Sequence, residues 1–139
     1  MCRAPNNDEL LAAAEPLIKL AIAEDIGPGD VTSEATLDPQ ASLSGCILAK
    51  EAGVVAGLPV AEHVFRLVNP DIRFTPQARD GQEVVAREVV AEVEGPAPSL
   101  LTAERLALNF LQRMSGIATA TRNYVDAVAT TWATILDTR

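Results

Sequence analysis

The end of the chain decides the fold, and from residue 100 to residue 139 it reads LLTAERLALNFLQRMSGIATATRNYVDAVATTWATILDTR. This pattern predicts two helices joined at Ser115, the second over Gly116–Ala129, and then a buried strand over Trp132–Thr138. The strand would end close to the charged residues Asp137 and Arg139. The sequence stops at Arg139, and no turn, cap or partner strand follows. We therefore expect the chain to be the first part of a longer protein.

The first of these helices is apolar around most of its circumference, and Ser99 is its expected N-cap. Apolar side chains follow it in two lines at helical spacing, which are Leu100, Ala103, Ala107, Phe110 and Met114, and Leu101, Leu108 and Leu111. A helix of this kind is expected to be buried nearly all round.

Arg105 lies in the one narrow polar stripe of this helix, with Thr102, Asn109 and Gln112. A buried guanidinium without a partner costs much free energy, so we expect its side chain to meet a carboxylate, a phosphate or a ligand. A structural ion pair, either with Glu104 or with another domain, would satisfy the same requirement. Both interpretations stay open on spacing alone.

Composition bounds the class of protein. The 139 residues are 48% hydrophobic and 22% charged, which suits one ordinary globular core. No apolar run approaches the roughly 18 residues that a membrane helix needs, and the first thirty or so residues lack a signal-peptide pattern. Cys2 and Cys46 are too few for a disulfide framework. We expect a cytoplasmic protein that does not enter a membrane.

Charge is divided unevenly along the chain. Residues 1–98 contain 16 acidic and 7 basic residues, a net charge of −9, whereas residues 99–139 contain 3 acidic and 4 basic residues, a net charge of +1. The second segment is therefore compatible with a local site for an anion. Because the chain has no basic tract and no series of aromatic residues, nucleic acid is not an expected partner.

The first part of the chain predicts an α+β fold. A helix is expected over Asp8–Ala14 and, after a break near Glu15 and Pro16, a second from Leu17 to a stop at Gly27; a third is expected after Pro59. Strands are expected over residues 42–49, 53–56, 72–75, 84–85 and 89–93, with a turn at residues 80 and 81. This order of elements is typical of helices packed on a largely antiparallel sheet.

Three features could be mistaken for chemistry. His63, the only histidine, has no second ligand at metal spacing, so we expect it to pack at the surface or against a partner. Glu24, Asp25 and Asp30 flank a Gly-Pro-Gly turn, and helix termination with local capping explains them better than a magnesium site. No base accompanies Ser115, which we expect to cap the junction between two helices.

Three groups of residues form motifs that follow one another along the chain. They are Glu24, Asp25, Gly27, Gly29, Asp30, Thr32 and Ser33; Glu51, Gly53, Val54, Ala56 and Gly57; and Glu104, Arg105, Leu108, Asn109, Ser115–Thr119 and Asp137–Arg139. Together they resemble the quinolinate phosphoribosyltransferases, also called carboxylating nicotinate-nucleotide pyrophosphorylases. Several collinear motifs are far more specific than any single one.

The resemblance implies two domains. An amino-terminal α/β sandwich with a largely antiparallel sheet would cover residues 1–115, including the helix of Arg105. Residues 116–139 would begin a carboxy-terminal α/β barrel, with Trp132–Arg139 as its first strand. Ligands of such barrels bind at the carboxyl ends of the strands, where Thr138 would lie.

The resemblance also implies a reaction and its site. Members of this family are pentosyltransferases that join quinolinate to 5-phosphoribosyl-1-pyrophosphate, giving nicotinate mononucleotide, pyrophosphate and CO2 for NAD biosynthesis. Mg2+ would neutralise the departing pyrophosphate. Arg105 would bind quinolinate across the interface of a homodimer or larger oligomer, and Thr138 and Arg139 would bind it from the barrel. Planar guanidinium forks suit the two carboxylates of quinolinate.

The sequence departs from the family pattern in two ways. Leu106 stands where many members have threonine, which we expect to affect packing rather than binding. The family continues beyond the arginine that matches Arg139 into Lys-Thr-x-Pro-Gly, further basic ligands and the magnesium-binding carboxylates, and none of these occurs here. We therefore assign no catalytic or metal-binding residue and expect the chain alone to be inactive.

Two alternatives stay open. The chain could belong to a related type II phosphoribosyltransferase, such as a nicotinate phosphoribosyltransferase or the molybdenum-associated pyrophosphorylase-like protein. It could also be a non-catalytic dimerisation or carrier-like module, although carrier domains present a modified lysine and this chain has no lysine after Lys50.

Overall fold

The computed structural model describes residues 6–26 and 41–136. Within them the elements, in chain order, are α1 Asn7–Ile26, β1 Ser42–Leu48, β2 Gly53–Val54, α2 Leu58–Val68, β3 Arg73–Pro76, β4 Glu83–Val84, β5 Val89–Pro96 and α3 Ala97–Val128. Helices and antiparallel strands share one core, so the predicted α+β class is confirmed.

The larger sheet is built around β5. This strand pairs antiparallel with β1 on one side and with β3 on the other, while β2 and β4 form a separate antiparallel pair. Along β5, Ala91 and Val93 are buried whereas Glu92 and Glu94 are exposed. The alternation leaves one polar face and presents the other to the helices.

In the described part of the chain, the core lies between this sheet and helices α1, α2 and α3. Phe65 of α2 is almost fully buried, and its ring centroid lies 5.9 Å from that of Phe74 in β3. Ile18 of α1 and Leu100 and Ala107 of α3 are also buried in the same cluster. The long helix α3 thus packs into a core to which α1, α2 and the sheet all contribute.

Helix α1 is continuous, so the predicted break near Glu15 and Pro16 is wrong. Asn6 starts the helix: its side chain accepts the Glu9 N–H at 2.8 Å, and the Glu9 carboxylate accepts the Asn6 N–H in return. Pro16 then lies inside the helix on an exposed face. Since Ile18 is buried in the core, tertiary packing holds the helix through the proline.

Helix α3 is also continuous, so the predicted junction at Ser115 and Gly116 is wrong. The helix begins at Ala97, with Pro96 at the capping position, and Ser99 is not the N-cap. Instead, the Ser99 hydroxyl accepts a hydrogen bond from the Asn69 amide at 2.9 Å. Gly116 lies on an open face of the helix, because a Cβ there would meet nothing within 4 Å. A glycine on an open helix face weakens the helix but does not end it.

The expected burial of α3 nearly all round is also wrong, because only one face enters the core. Its buried residues are Ala97, Leu100, Ala103, Leu106, Ala107 and Leu111. Leu101, from the second apolar line, is 38% exposed. Leu106 lies in the core, as expected of a position that affects packing.

The strand predicted over Trp132–Thr138 is not observed in the residues that the structure describes. Residues 133–136 have no regular secondary structure, and Trp132 is fully exposed. A strand needs a neighbour to receive its backbone hydrogen bonds, and none is supplied here. Residues 137–139 lie outside the described part of the chain.

Candidate carboxylate-binding site

Arg105 projects from the solvent-facing side of α3, and its side chain is 70% exposed. The premise that its charge is buried is therefore wrong, because α3 packs through one face and the polar stripe lies opposite. A carboxylate partner is nevertheless present. It comes from α1 and not from Glu104.

That partner is Asp25, which lies near the end of α1. The Arg105 Nη2 atom is 2.9 Å from Asp25 Oδ1, and the Nε atom donates to Oδ2 at 3.2 Å. Both carboxylate oxygens are thus engaged along one edge of the guanidinium, in a bidentate side-on pair. The Arg105 guanidinium is thus paired with a carboxylate of its own chain.

Sequence reasoning missed this pair. It assigned Asp25 to helix termination and local capping, whereas the side chain binds a residue that is 80 positions away. No periodic pattern connects two residues so far apart. The available signal was that Asp25 and Arg105 both lie in motifs shared with one family.

A second set of motif residues fixes α3 against the segment around β2. The Ser115 hydroxyl accepts the Ala56 N–H at 3.0 Å and donates to the Ala56 carbonyl at 3.2 Å. The Thr119 hydroxyl accepts the Val54 N–H at 2.8 Å. We call Ser115 and Thr119 the hydroxyl clamp. Ser115 is therefore a tertiary contact of α3 and not a cap.

Glycines allow this close approach. A Cβ at Gly53 would lie 2.7 Å from Thr119 Oγ1, and a Cβ at Gly57 would lie 2.7 Å from Met114 Sδ. Gly57 also has a φ of +99°, a left-handed conformation that other residues rarely adopt. The two glycines of the second motif are thus explained by the path of the backbone beneath α3.

Asp80 completes this region by capping α2. Its carboxylate accepts the N–H groups of Gly57 and Leu58 at 2.8 and 3.0 Å, at the helix end where backbone donors lack partners. The turn predicted at residues 80 and 81 is present. This carboxylate therefore has a structural role.

His63 packs between α1 and α2 of its own chain and is mostly shielded from solvent, so the expected place at the surface is wrong. Its side chain is 17% exposed, and its Nε2 atom lies 3.5 Å from Glu15 Oε2, too far for a well-formed hydrogen bond. Glu15 also pairs with Lys19 at 2.6 Å. The hydrogen bond and charge of Lys19 are the main causes that lower the pKa of the Glu15 carboxyl.

Thr138 and Arg139 lie outside the described residues, as does Asp30. Within residues 6–26 and 41–136, no group of three or more His, Cys, Asp or Glu side chains is placed to hold a metal ion. These residues therefore do not fit Mg2+.

Among the helices described, none is long and apolar enough to cross a membrane.

Comparison with known proteins identifies the family. Residues 30–115 match the family model described as quinolinate phosphoribosyl transferase, N-terminal domain. This match covers more than half of the chain and includes Arg105 and both glycines beneath α3. The chain therefore belongs to the quinolinate phosphoribosyltransferase family.

Individual relatives agree with this assignment. A probable carboxylating nicotinate-nucleotide pyrophosphorylase of Synechocystis sp. is 45% identical over 125 residues, which are 90% of this chain and 42% of the relative. The nicotinate-nucleotide pyrophosphorylase structure from Francisella tularensis superposes with a TM-score of 0.87 at 32% identity, covering 99% of this chain and 46% of that one. The NadC structure from Streptococcus pyogenes gives 0.81 at 39% identity, covering 86% and 43%. The chain thus spans about two-fifths of the length of these relatives.

Proposed function

We propose that this chain provides the amino-terminal part of a quinolinate phosphoribosyltransferase. The enzyme would join quinolinate to 5-phosphoribosyl-1-pyrophosphate and release pyrophosphate and CO2, forming nicotinate mononucleotide for NAD biosynthesis in the cytoplasm. The observation that carries the proposal is the match of residues 30–115 to the amino-terminal domain of this family. The division into a sandwich over 1–115 and a barrel from 116 onward is part of the same proposal.

Within this enzyme, Arg105 binds a carboxylate of quinolinate in the site of a neighbouring subunit of a homodimer or larger oligomer. Its 70% exposure and its bidentate pairing with a carboxylate support that role. Thr138 and Arg139 contact quinolinate from the barrel. Mg2+ would accompany 5-phosphoribosyl-1-pyrophosphate, and the described residues offer no set of ligands for it.

An activity comparison tests the proposal. A full-length protein that contains this sequence should form nicotinate mononucleotide and CO2 from quinolinate, 5-phosphoribosyl-1-pyrophosphate and Mg2+. The 139-residue chain alone should form none, because the family's Lys-Thr-x-Pro-Gly motif and metal-binding carboxylates are not among its residues. Turnover of nicotinate in place of quinolinate would favour a different phosphoribosyltransferase. Turnover of quinolinate by the 139-residue chain alone would contradict the expectation that the catalytic residues lie outside this sequence.

Arg105→Lys in the full-length protein tests the ligand role directly. Lysine keeps the charge but loses the planar fork, so quinolinate binding should weaken by roughly 1.5 to 3 kcal/mol, the scale of a hydrogen bond to a charged group. Stability should hardly change, because an ion pair this exposed contributes little. Calorimetric titration and thermal unfolding of the same variant measure both quantities.

The matched control is Arg113→Lys, the same change on an exposed arginine of the same helix. It should leave both quinolinate affinity and melting temperature near those of the unmodified protein. If Arg105→Lys instead lowers the melting temperature and leaves the affinity unchanged, the arginine is a structural residue and the ligand assignment is wrong.

A further inference from the structure

We propose that Asp25 is a positioning residue, which orients the Arg105 guanidinium so that its other edge meets the quinolinate carboxylate. This inference rests on the proposed function. The observation behind it is the side-on pair, in which Asp25 Oδ1 and Oδ2 engage Nη2 and Nε of Arg105 at 2.9 and 3.2 Å.

The side-on pair leaves a complete binding edge on the guanidinium. Arginine has five N–H donors in a fixed plane, and the pair uses one on Nε and one on Nη2. Two donors on Nη1 and one on Nη2 remain, along the end of the group. That end can donate to both oxygens of a second carboxylate while Asp25 stays in place. Asp25 and a ligand therefore need not compete for the same atoms.

Asp25 is well placed to hold the arginine still. Ile18, Ile22 and Asp25 follow one another at helical spacing, so they share one face of α1. Ile18 is fully buried and Ile22 packs against the same core, which ties this face of the helix to the rest of the domain. The Asp25 side chain is 29% exposed, whereas that of Arg105 is 70% exposed. An exposed arginine is thus paired with a carboxylate on a helix that packs into the core.

Orientation is the effect that should dominate. A long, exposed arginine samples many rotamers, and binding a ligand requires one of them to be selected. Asp25 selects that rotamer in advance. Its negative charge also repels a ligand carboxylate, but the two lie on different edges of the guanidinium, whose positive charge attracts both. Removing Asp25 should therefore weaken binding.

The test uses the full-length enzyme and quinolinate itself as the probe. Asp25→Asn keeps the size of the side chain and removes its charge. We expect quinolinate to bind roughly 3- to 10-fold more weakly, the scale of ordering one long side chain on binding. The KM for quinolinate should rise with little change in kcat, and the melting temperature should stay close to the original value. Asp25→Glu, which can restore the pair, should recover part of the affinity.

Glu83→Gln is the matched control. Glu83 forms the other long-range surface ion pair of α3 in the described residues, with Arg122 at 2.7 Å, so its loss perturbs the same helix without touching Arg105. Quinolinate affinity should not change in this variant. An equal loss in Glu83→Gln and Asp25→Asn would mean that general helix stability is responsible, which would overturn the positioning role.

A double variant that combines Asp25→Asn with Arg105→Ala tests whether Asp25 acts through Arg105. In that background Asp25→Asn should have no further effect on quinolinate binding, because there is no guanidinium to orient. A persistent effect there overturns the inference, as does an Asp25→Asn variant whose affinity is within twofold of the original or higher. Failure of the unmodified enzyme to bind quinolinate is a different result, since it defeats the proposed function itself.

Discussion

The two parts of α3 differ in what holds them. From Ala97 to Leu111 the helix buries six side chains in the core, whereas from residue 112 to residue 128, all within the described chain, no side chain is buried. Ile117 and Tyr124 are 62% and 66% exposed. The change falls close to residue 115, where the match to the family's amino-terminal domain ends. One helix therefore contributes to the core over its first part and extends beyond the core over its second part.

Polar contacts replace apolar burial in the second part. The hydroxyl clamp ties it to β2 and to Ala56 just after that strand, and the ion pair between Arg122 and Glu83 ties it to β4. Propagation of a helix adds one hydrogen bond for each residue that is fixed, so a helix nucleated in the core can extend without further packing. Helix formation and burial are thus separable along α3.

The largest predicted effect is a loss of stability when an apolar side chain is truncated in the first part of α3, compared with the same truncation in the second part. Leu100 is 3% exposed and Ile117 is 62% exposed. Leu100→Ala should lower the free energy of unfolding by roughly 2 to 5 kcal/mol, because it leaves a cavity. Ile117→Ala should change it by no more than about 0.5 kcal/mol. Urea unfolding measures both, and equal losses would show that the second part is packed in solution.

A substitution at Gly57, which faces Met114 near the boundary between the two parts of α3, should have the next largest effect. Gly57→Ala forces a left-handed backbone on alanine and pushes a Cβ toward Met114 of α3, so we expect a loss of about 1 to 3 kcal/mol. Gly81→Ala is the matched control, since its φ of +86° is similar but its Cβ would enter open space. If both variants lose the same stability, the contact with α3 contributes nothing.

The smallest predicted effect concerns the hydroxyl clamp. Thr119→Val leaves the partly buried Val54 N–H without its acceptor and should cost about 1 kcal/mol, with faster hydrogen exchange at that amide. Thr121→Val is the control, because the Thr121 hydroxyl only donates to the Ile117 carbonyl of its own exposed helix turn. Unchanged protection of Val54 in Thr119→Val would mean that polar contacts do not hold the second part.

Much of the fold could be predicted because it follows from local periodicity. The strand predicted over residues 72–75 is observed at Arg73–Pro76, and that over 89–93 begins where predicted and continues to Pro96. The errors occurred at Pro16 and at Ser115 and Gly116, where local breaking signals were overridden by packing and by the hydroxyl clamp. The strand expected from Trp132 failed for another reason, since an apolar run cannot provide the neighbour that a strand requires.

The candidate site was predictable only in part. Arg105 was recognised as a polar residue on an apolar helix and through the family motif, and its pairing with a carboxylate is observed. The identity of that partner was not predictable, because Asp25 is brought to Arg105 by the packing of α1 against the core. The ligand roles of Arg105, Thr138 and Arg139 remain predictions.

The continuity of α3 has a consequence for how its sequence can vary among relatives. Arg105 and Ser115 are carried on one helix, about 15 Å apart along its axis at 1.5 Å per residue. Each inserted or deleted residue between them would turn the arginine by about 100° relative to the clamp, away from Asp25. Exchanges of side chain at the exposed positions of this interval leave that angle unchanged. The number of residues between Arg105 and Ser115 should therefore be conserved more strictly than their identities.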